Sequence, residues 1–239
     1  MNYSSELFSK EAIAEGTMAF HFEKPHGFAW KAGQSIDLTL VGPAETDAEG
    51  NTRAFSIASA PYERDIMIAT RMRETAFKRV LRSADLGMKV DIAGPFGSFT
   101  LHEKSSRPAI MLVGGIGITP FLSMMKDATE RKLPHRIYLY YSNRRPEDAP
   151  FLDLLNGLRD RNPRITFIPT MTDMENSKTP WSGERGYITR DMIERHAPDR
   201  ADAIYYSAGP PGMVAAMRKV VNEMGVGDDD IRVEEFSGY

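Results

Sequence analysis

The chain has 239 residues and not one cysteine. That absence excludes disulfides, thiolate zinc sites, cysteine-ligated iron–sulfur clusters and a cysteine nucleophile. Histidine is scarce as well: five residues, at 21, 26, 102, 135 and 196, with no HxH or HExxH spacing, which argues against a metalloenzyme. There is no surplus of positive charge. A formal charge of −3 differs from the strongly basic balance of a nucleic-acid-binding domain. Long apolar runs are also missing. AIMLVGGIGITPFL (109–122) is interrupted by glycines and a proline and stops short of the ~20 residues that span a bilayer. The opening MNYSSELFSKEAIAEG has no basic patch followed by an apolar core, so no secretory signal is expected. No repeat or low-complexity tract interrupts the sequence. A cytoplasmic protein, with no nucleic-acid partner and no membrane insertion, is the expectation.

What is present describes an ordinary globular protein: 41% hydrophobic and 26% charged residues, with 19 Gly and 15 Pro. Residues 1–104 read as β-rich, with short alternating segments SIDLTLVG (35–42), DIMIATRMR (65–73) and KVDIAG (89–94) separated by turn residues. One helix interrupts them, TAFKRVLRSA, with Phe77, Val80 and Leu81 at helical spacing. After HEKSSRP (102–108) the pattern changes. Strand-like segments at 109–113, 136–141, 164–169, 203–208 and 231–236 alternate with helical segments near 120–131, 147–161, 188–195 and 211–224. This order predicts a β-barrel-like domain over 1–104, followed over 105–239 by an α/β domain with a five-stranded parallel sheet covered on both faces.

The strand at 109–113 runs into Gly114-Gly115-Ile116-Gly117-Ile118-Thr119-Pro120. Thr119 suits an N-cap and Pro120 the first helical turn. Glycines before a cap let backbone N–H groups and the helix dipole face an anion, of which a pyrophosphate is the natural example. The same glycines could serve only a tight strand-to-helix turn. A second loop, Gly209-Pro210-Pro211-Gly212-Met213, follows the strand ending at Ser207-Ala208 and opens the last helix. Two such loops at the carboxyl ends of parallel strands form a ligand crevice in doubly wound sheets, although neither is GxGxxG. In the first half, Arg53-Ala54-Phe55-Ser56-Ile57-Ala58-Ser59 is expected to set a cation, an aromatic ring and two hydroxyls at alternate positions, which on a strand would share one face. A half-buried strand edge is the plain reading of that stretch, and a turn that of Gly94-Pro95-Phe96-Gly97-Ser98-Phe99.

Taken together and in order, RAFSIAS, GPFGSF, GGIGITP, SAGPPGM and VEEF resemble the ferredoxin–NADP reductase superfamily over nearly the whole chain. The resemblance implies an N-terminal antiparallel Greek-key barrel binding flavin, a C-terminal α/β domain binding NAD(P), and a NAD(P)H-dependent flavoprotein reductase. In the flavin motif, Arg53 would bind the pyrophosphate, Phe55 would pack on the isoalloxazine and Ser56 would hydrogen-bond near N5, with Ala54, Ile57 and Ser59 completing the motif. The family more often has Tyr at position 55, so that hydroxyl is not essential here. Arg71, Thr75, Phe77 and Lys78 stand where the family binds the phosphates and adenine of FAD, although the usual glycine before the Ser/Thr is missing. Gly114, Gly115, Gly117, Ile118, Thr119 and Pro120, with Gly209, Pro210 and Met213, would hold the nicotinamide nucleotide. Ser207 takes the place of a Cys beside the nicotinamide. Glu234 and Phe236 would border the hydride-transfer site, and Tyr239, after Ser237 and Gly238, would add a second aromatic or simply fray.

The same resemblance implies FAD as the cofactor and hydride transfer from the nicotinamide to flavin N5, with electrons then leaving singly. Arg144 and Arg145 would suit the 2′-phosphate of NADPH, while Asp173, just past another strand, would suit the bare ribose of NADH; NADPH is the expected donor, with NADH the alternative. Arg71, Arg73, Lys78, Arg79 and Arg82 face only Glu74 in the sequence nearby, a cationic patch for phosphates or for an acidic electron carrier. The family's frequent iron–sulfur domain needs cysteines that are missing here, so a separate acceptor is expected: a ferredoxin or flavodoxin, or an oxygenase component. Reduction of free flavin, ferric chelates or quinones is the alternative activity. A flavin-binding subunit or redox sensor without turnover is the alternative of another class.

Overall fold

The computed structural model describes residues 2–236. In the first half, β1 (Asn2–Ala14), β2 (Thr17–Glu23), β3 (Ser35–Leu40), β4 (Thr52–Ser56), β5 (Asp65–Arg71) and β6 (Lys89–Phe96) form one sheet in the order β4-β3-β6-β1-β2-β5. Every neighbouring pair is antiparallel. Alternation along the strands turns Phe20, Phe22, Ile36, Leu38, Ile66 and Ile68 into one buried cluster. Helix α1 (Ala76–Ser83) covers it with Phe77, Val80 and Leu81, and Thr75 caps the helix by accepting from the Lys78 N–H at 3.4 Å. Strand β1 has no clear sequence signal because only Ser5 and Leu7 of its 13 residues are buried and its pairing with β2 shifts register twice.

In the second half, β7 (Ala109–Gly114), β8 (Ile137–Asn143), β9 (Ile165–Met171), β10 (Glu184–Arg185), β11 (Ile204–Gly209) and β12 (Ile231–Glu235) form a parallel sheet in the order β10-β9-β8-β7-β11-β12. The five expected strands are present. The sixth, β10, has two residues at the edge beside β9, too few to carry a hydrophobic pattern. Helices α2 (Ile118–Glu130) and α3 (Leu152–Arg161) cover one face, and α4 (Arg190–His196) and α5 (Pro211–Glu223) the other. The segment expected to be helical from 147 is broken. Pro150 disfavours helical geometry at Ala149 (φ −94°, ψ 96°), so Pro146–Asp148 makes a separate 3-10 turn and α3 starts at Leu152. Thr119 is not the N-cap of α2. Backbone Gly117 is already helical (φ −59°, ψ −5°), the helix starts at Ile118, and the Thr119 hydroxyl donates to the Ile116 carbonyl at 3.2 Å.

The two halves share one apolar cluster. Ala19, Ala58, Ala69 and Phe99 of the antiparallel half pack with Phe121, Leu122, Met124 and Met125 of α2. Small side chains on the sheet's outer face let the helix lie close. Gly33 shows how close: at φ +98°, a Cβ there would stand 2.2 Å from the Phe99 carbonyl oxygen and 2.4 Å from the Met124 methyl. Among the described residues, no helix is long and apolar enough to cross a membrane.

Phe121 is fully buried and meets Phe99 edge-on at 5.4 Å between ring centroids. Phe121→Ala should therefore cost about 3–5 kcal/mol. Urea unfolding read from Trp30 in one half and Trp181 in the other, each alone in a single-tryptophan variant, should show one common lowered midpoint. Separate midpoints, with one half unaffected, would refute a shared core.

Candidate functional site

Strand β7 lies between β8 and β11, the point where the strand order reverses, and the two glycine loops leave the carboxyl ends of β7 and β11. The loops touch. A Cβ on Gly117 would lie 2.5 Å from the Ala208 carbonyl oxygen, and one on Gly209 (φ +150°) 3.0 Å from the Gly114 carbonyl oxygen. Met213 closes over Gly114 from α5, its sulfur 3.0 Å from where a Gly114 Cβ would sit, with Pro210 beside it. Gly114, Gly117, Gly209, Pro210 and Met213 thus make one floor, which Gly115 (φ +53°), Ile118, Thr119 and Pro120 continue into the start of α2.

Strand β12 runs beside β11, with Ala208 opposite Glu234 and Ser207 opposite Val233. Paired residues of parallel strands share a face. Glu234 therefore lies on the face of Ala208, Tyr206 and Arg232, where the Arg232 guanidinium stands 5.4 Å over the Tyr206 ring. Ser207 is on the other face, with Tyr205 and the α4–α5 side, buried and with its hydroxyl unpartnered. The catalytic role expected for Ser207 fails on this geometry: one residue along a strand is the opposite side of the sheet. Ala208, which the sequence analysis passed over, borders Glu234 instead.

Across the interface, the Ser56 hydroxyl donates to Glu234 Oε2 at 3.5 Å, the long limit of such a bond. Burial pushes the Glu234 carboxyl up to about 7, against the opposing pull of the Ser56 hydrogen bond. The Phe236 N–H donates to the Gly209 carbonyl at 3.0 Å, and its side chain packs on the shared core. Ser56, Glu234, Phe236 and the Gly209 loop therefore converge from distant parts of the chain.

The flavin-like motif divides between two sides of β4. Arg53 and Phe55 both lie on Phe77, the guanidinium 5.3 Å over that ring and the Phe55 ring 5.9 Å from it between centroids. Ser56 points the other way, so the ring and the hydroxyl do not share the single face that alternation suggested. Ala54 is exposed. Ile57 and Phe77 belong to the core of the antiparallel half. Ser59 is structural: its hydroxyl accepts from the Met67 N–H at 2.9 Å and its carbonyl accepts from Trp30 Nε1 and Ser123 Oγ.

Arg53 and the first N–H of α1 converge on one carboxylate. Asp47 accepts from Arg53 at 3.2 Å and from the Ala76 N–H at 3.1 Å, and Glu49 adds a second ion pair to Arg53 at 3.0 Å. Burial acts against charge on Asp47, but the N–H groups of Ala76 and Glu49 and the Arg53 guanidinium hold its carboxyl below its usual value. Lys78 is pushed down by burial and by Arg73 and Arg53 beside it. A helix N-terminus flanked by these cations is a cradle for an anion.

The cationic patch is smaller than its local sequence implied. Arg79 is gripped by Glu45 at 2.9 and 2.6 Å, Arg82 pairs with Glu74 at 3.6 Å, and Arg71 reaches Asp148 of the other half at 3.7 Å. Two of the compensating acids, Glu45 and Asp148, are distant in sequence. Arg144 and Arg145 also have partners. Arg144 pairs with Asp173 at 2.9 Å. Arg145 binds Asp148 through two bonds, 2.7 and 2.8 Å, and Glu15 at 2.9 Å. Arg145 is therefore a tie between the halves rather than an open phosphate ligand. Asn176 and Arg144 hold the Asp173 carboxyl below its usual value. Tyr239, with Ser237 and Gly238, lies outside the described residues. A cavity of about 1080 Å³ lies elsewhere: Trp30, Tyr62, His102, His135 and Arg232 line it, near the amino ends of β8, β11 and β12 and away from the glycine loops.

A family model described as the oxidoreductase NAD-binding domain matches residues 111–219. The chain is 30% identical over 226 residues to the reductase component of propane 2-monooxygenase from Rhodococcus jostii, covering 90% of this chain. It spans only 57% of that relative's length. Two solved structures share the fold. One is a cytochrome P450 reductase of Amycolatopsis, with a TM-score of 0.84 and 22% identity over 99% of this chain and 70% of that one. The other is a ferredoxin NADP+ reductase from Neisseria gonorrhoeae with bound FAD and NADP, with a TM-score of 0.80 and 20% identity over 98% of both chains.

The Glu234 carboxyl generates a pH prediction. Because its folded pKa is raised, it contributes stability below the ordinary value of 4.5 that is lost as pH rises through about 7. The unfolding free energy of the wild type from urea titration, without added nucleotide, should fall relative to Glu234→Gln between these values, by about 3 kcal/mol in total. A constant gap between the two proteins across that window would show that Glu234 ionises normally.

Proposed function

We propose that this chain belongs to the ferredoxin–NADP reductase superfamily and is an NAD(P)H-dependent flavoprotein reductase that delivers electrons to a separate acceptor. One observation carries the reading: the Ser56–Glu234 contact joins the flavin-like strand to the last strand, beside the two glycine loops.

The donor set fits an FAD. Arg53 and the Ala76 N–H, which now hold the Asp47 carboxylate, suit a pyrophosphate, and the half-buried Phe55 ring offers a stacking surface backed by Phe77. The glycine floor brings bare backbone to the carboxyl end of the sheet, where a nicotinamide nucleotide would lie along Gly114–Pro120 and Gly209–Met213. When bound, the flavin accepts a hydride from the nicotinamide and releases electrons one at a time. The residues of this chain orient and exclude water. Ser56 presents a hydroxyl, and Glu234, protonated below about pH 7, adds no negative charge beside it.

The acceptor we propose is an oxygenase component, or a ferredoxin or flavodoxin serving one, in line with the Rhodococcus relative, the reductase component of a monooxygenase. For the donor, the ion pair between Arg144 and Asp173 favours a bare ribose, because a 2′-phosphate must first displace the carboxylate from the guanidinium.

Anaerobic titration with NADH and NADPH, followed in the visible spectrum, tests this reading. A yellow protein bleached by either nucleotide supports it, whereas a protein that cannot be reconstituted with FAD refutes it. Asp173→Asn should shift preference towards NADPH by roughly tenfold, the worth of one charged hydrogen bond. An unchanged ratio would remove the Arg144–Asp173 pair from nucleotide selection.

A further inference from the structure

Helix α2 carries a polar stripe on an otherwise apolar body. Thr119, Ser123 and Lys126 stand at i, i+4 and i+7, on one face, and all three are buried, Lys126 to 8% exposure. Each of the last two meets the loop that follows β4. The Ser123 hydroxyl donates to the Ser59 carbonyl at 2.7 Å. The Lys126 ammonium donates to both oxygens of Glu63, at 2.9 and 3.0 Å. Glu63 is itself fixed by the Ala60 N–H, and Trp30 Nε1 donates to the same Ser59 carbonyl at 3.3 Å.

The rest of this contact is apolar, through Ala58, Met67, Ala69, Phe121 and Leu122. Apolar burial is non-directional, so it holds the helix on the sheet without fixing its position along the sheet. The hydrogen-bonded ammonium and hydroxyl are directional. They join the segment just after Ser56 to the helix that begins at the glycine floor. We propose that Lys126 is a positioning residue: with Glu63 and Ser123 it sets the distance between the β4 strand and the Gly115–Gly117 turn, and so between the flavin and the nicotinamide. The inference rests on the reductase reading. A buried ion pair contributes little net stability compared with apolar replacements, which makes a registry role the better account of a lysine at this place.

The test compares wild type with Lys126→Met, Lys126→Arg and Glu63→Gln by anaerobic stopped-flow reduction. It also follows amide hydrogen exchange at 114–119 and 58–63. With Lys126→Met, the limiting reduction rate at saturating nucleotide should fall by roughly tenfold or more, since a misplacement near 1 Å can cost more still. The nucleotide dissociation constant should move by less than about threefold. The long-wavelength absorbance of stacked nicotinamide and flavin should weaken, and exchange at both segments should quicken. Lys126→Arg, which keeps the charge and two donors, should restore most of the rate. A wild-type limiting rate in Lys126→Met and Glu63→Gln, or a loss confined to nucleotide affinity, would overturn the proposal. If Lys126→Met does not fold, Glu63→Gln and Ser123→Ala decide by the same measures. A wild type that neither nucleotide reduces would refute the reductase reading, and hydrogen exchange alone would then decide whether the clamp exists.

Discussion

The dry contact between α2 and the outer face of the antiparallel sheet is the constraint from which the site follows. Every residue of α2 from Ile118 to Ala128 is buried, so the helix has no solvent face over that length. One side covers the parallel sheet and the other lies on Ala19, Ala58 and Ala69. Such burial is possible only because the partner strands present alanines, leaving room for the helix backbone to come close. The same helix starts at the glycine turn, and one of the alanines beneath it, Ala58, belongs to the Arg53–Ser59 segment. Bringing the glycine turn and that segment together is therefore a consequence of packing one helix between two sheets.

Electrostatics at the site divides by solvent access. Glu234 is largely withdrawn from water, with a single distant hydroxyl, and the cost of desolvation raises its carboxyl to about 7. Asp47, by contrast, meets a guanidinium and helix N–H groups, which hold its carboxyl below its usual value. The two carboxyls are thus pushed in opposite directions by their surroundings. The raised one stands beside the Ser56 hydroxyl. The lowered one occupies an anion cradle and marks where phosphate oxygens can be bound.

Much of this arrangement was legible in the sequence, because it depends on local chemistry. Glycines at strand ends, the alternating strands and the five parallel segments follow from backbone geometry and periodicity, and they survive in the structure. What failed depends on distance or on parity. Ser207 was misplaced because a count wrong by one residue changes the face of a strand, and only the pairing of β11 with β12 reveals it. The cationic patch looked unopposed because Glu45 and Asp148 are remote in sequence from Arg79 and Arg71. Thr119 had the chemistry of a cap, but the preceding 3-10 turn had already started the helix. Strand β1 was invisible because its buried residues are too few to set a period.

The adjacent arginines 144 and 145 show how one dipeptide can serve two scales of the structure. Arg144 is mostly exposed and meets one carboxylate at the carboxyl end of the sheet, so its state affects what can bind there. Arg145 joins Asp148 to Glu15 of the other half, and Asp148 also accepts Arg71, making a chain of alternating charge across the interface. The Glu15 N–H adds a backbone bond to the Glu147 carbonyl at 2.8 Å. Removing Arg145 leaves Asp148, which is 5% exposed, without its closest cation, and a buried charge that loses its partner is strongly destabilising. A change at Arg145 therefore acts on the relation between the halves, and through it on the spacing of β4 and the glycine floor. A change at Arg144 breaks only its pair with Asp173. Kinetics of variants at these two positions report different properties of the protein, although the residues are neighbours in the chain.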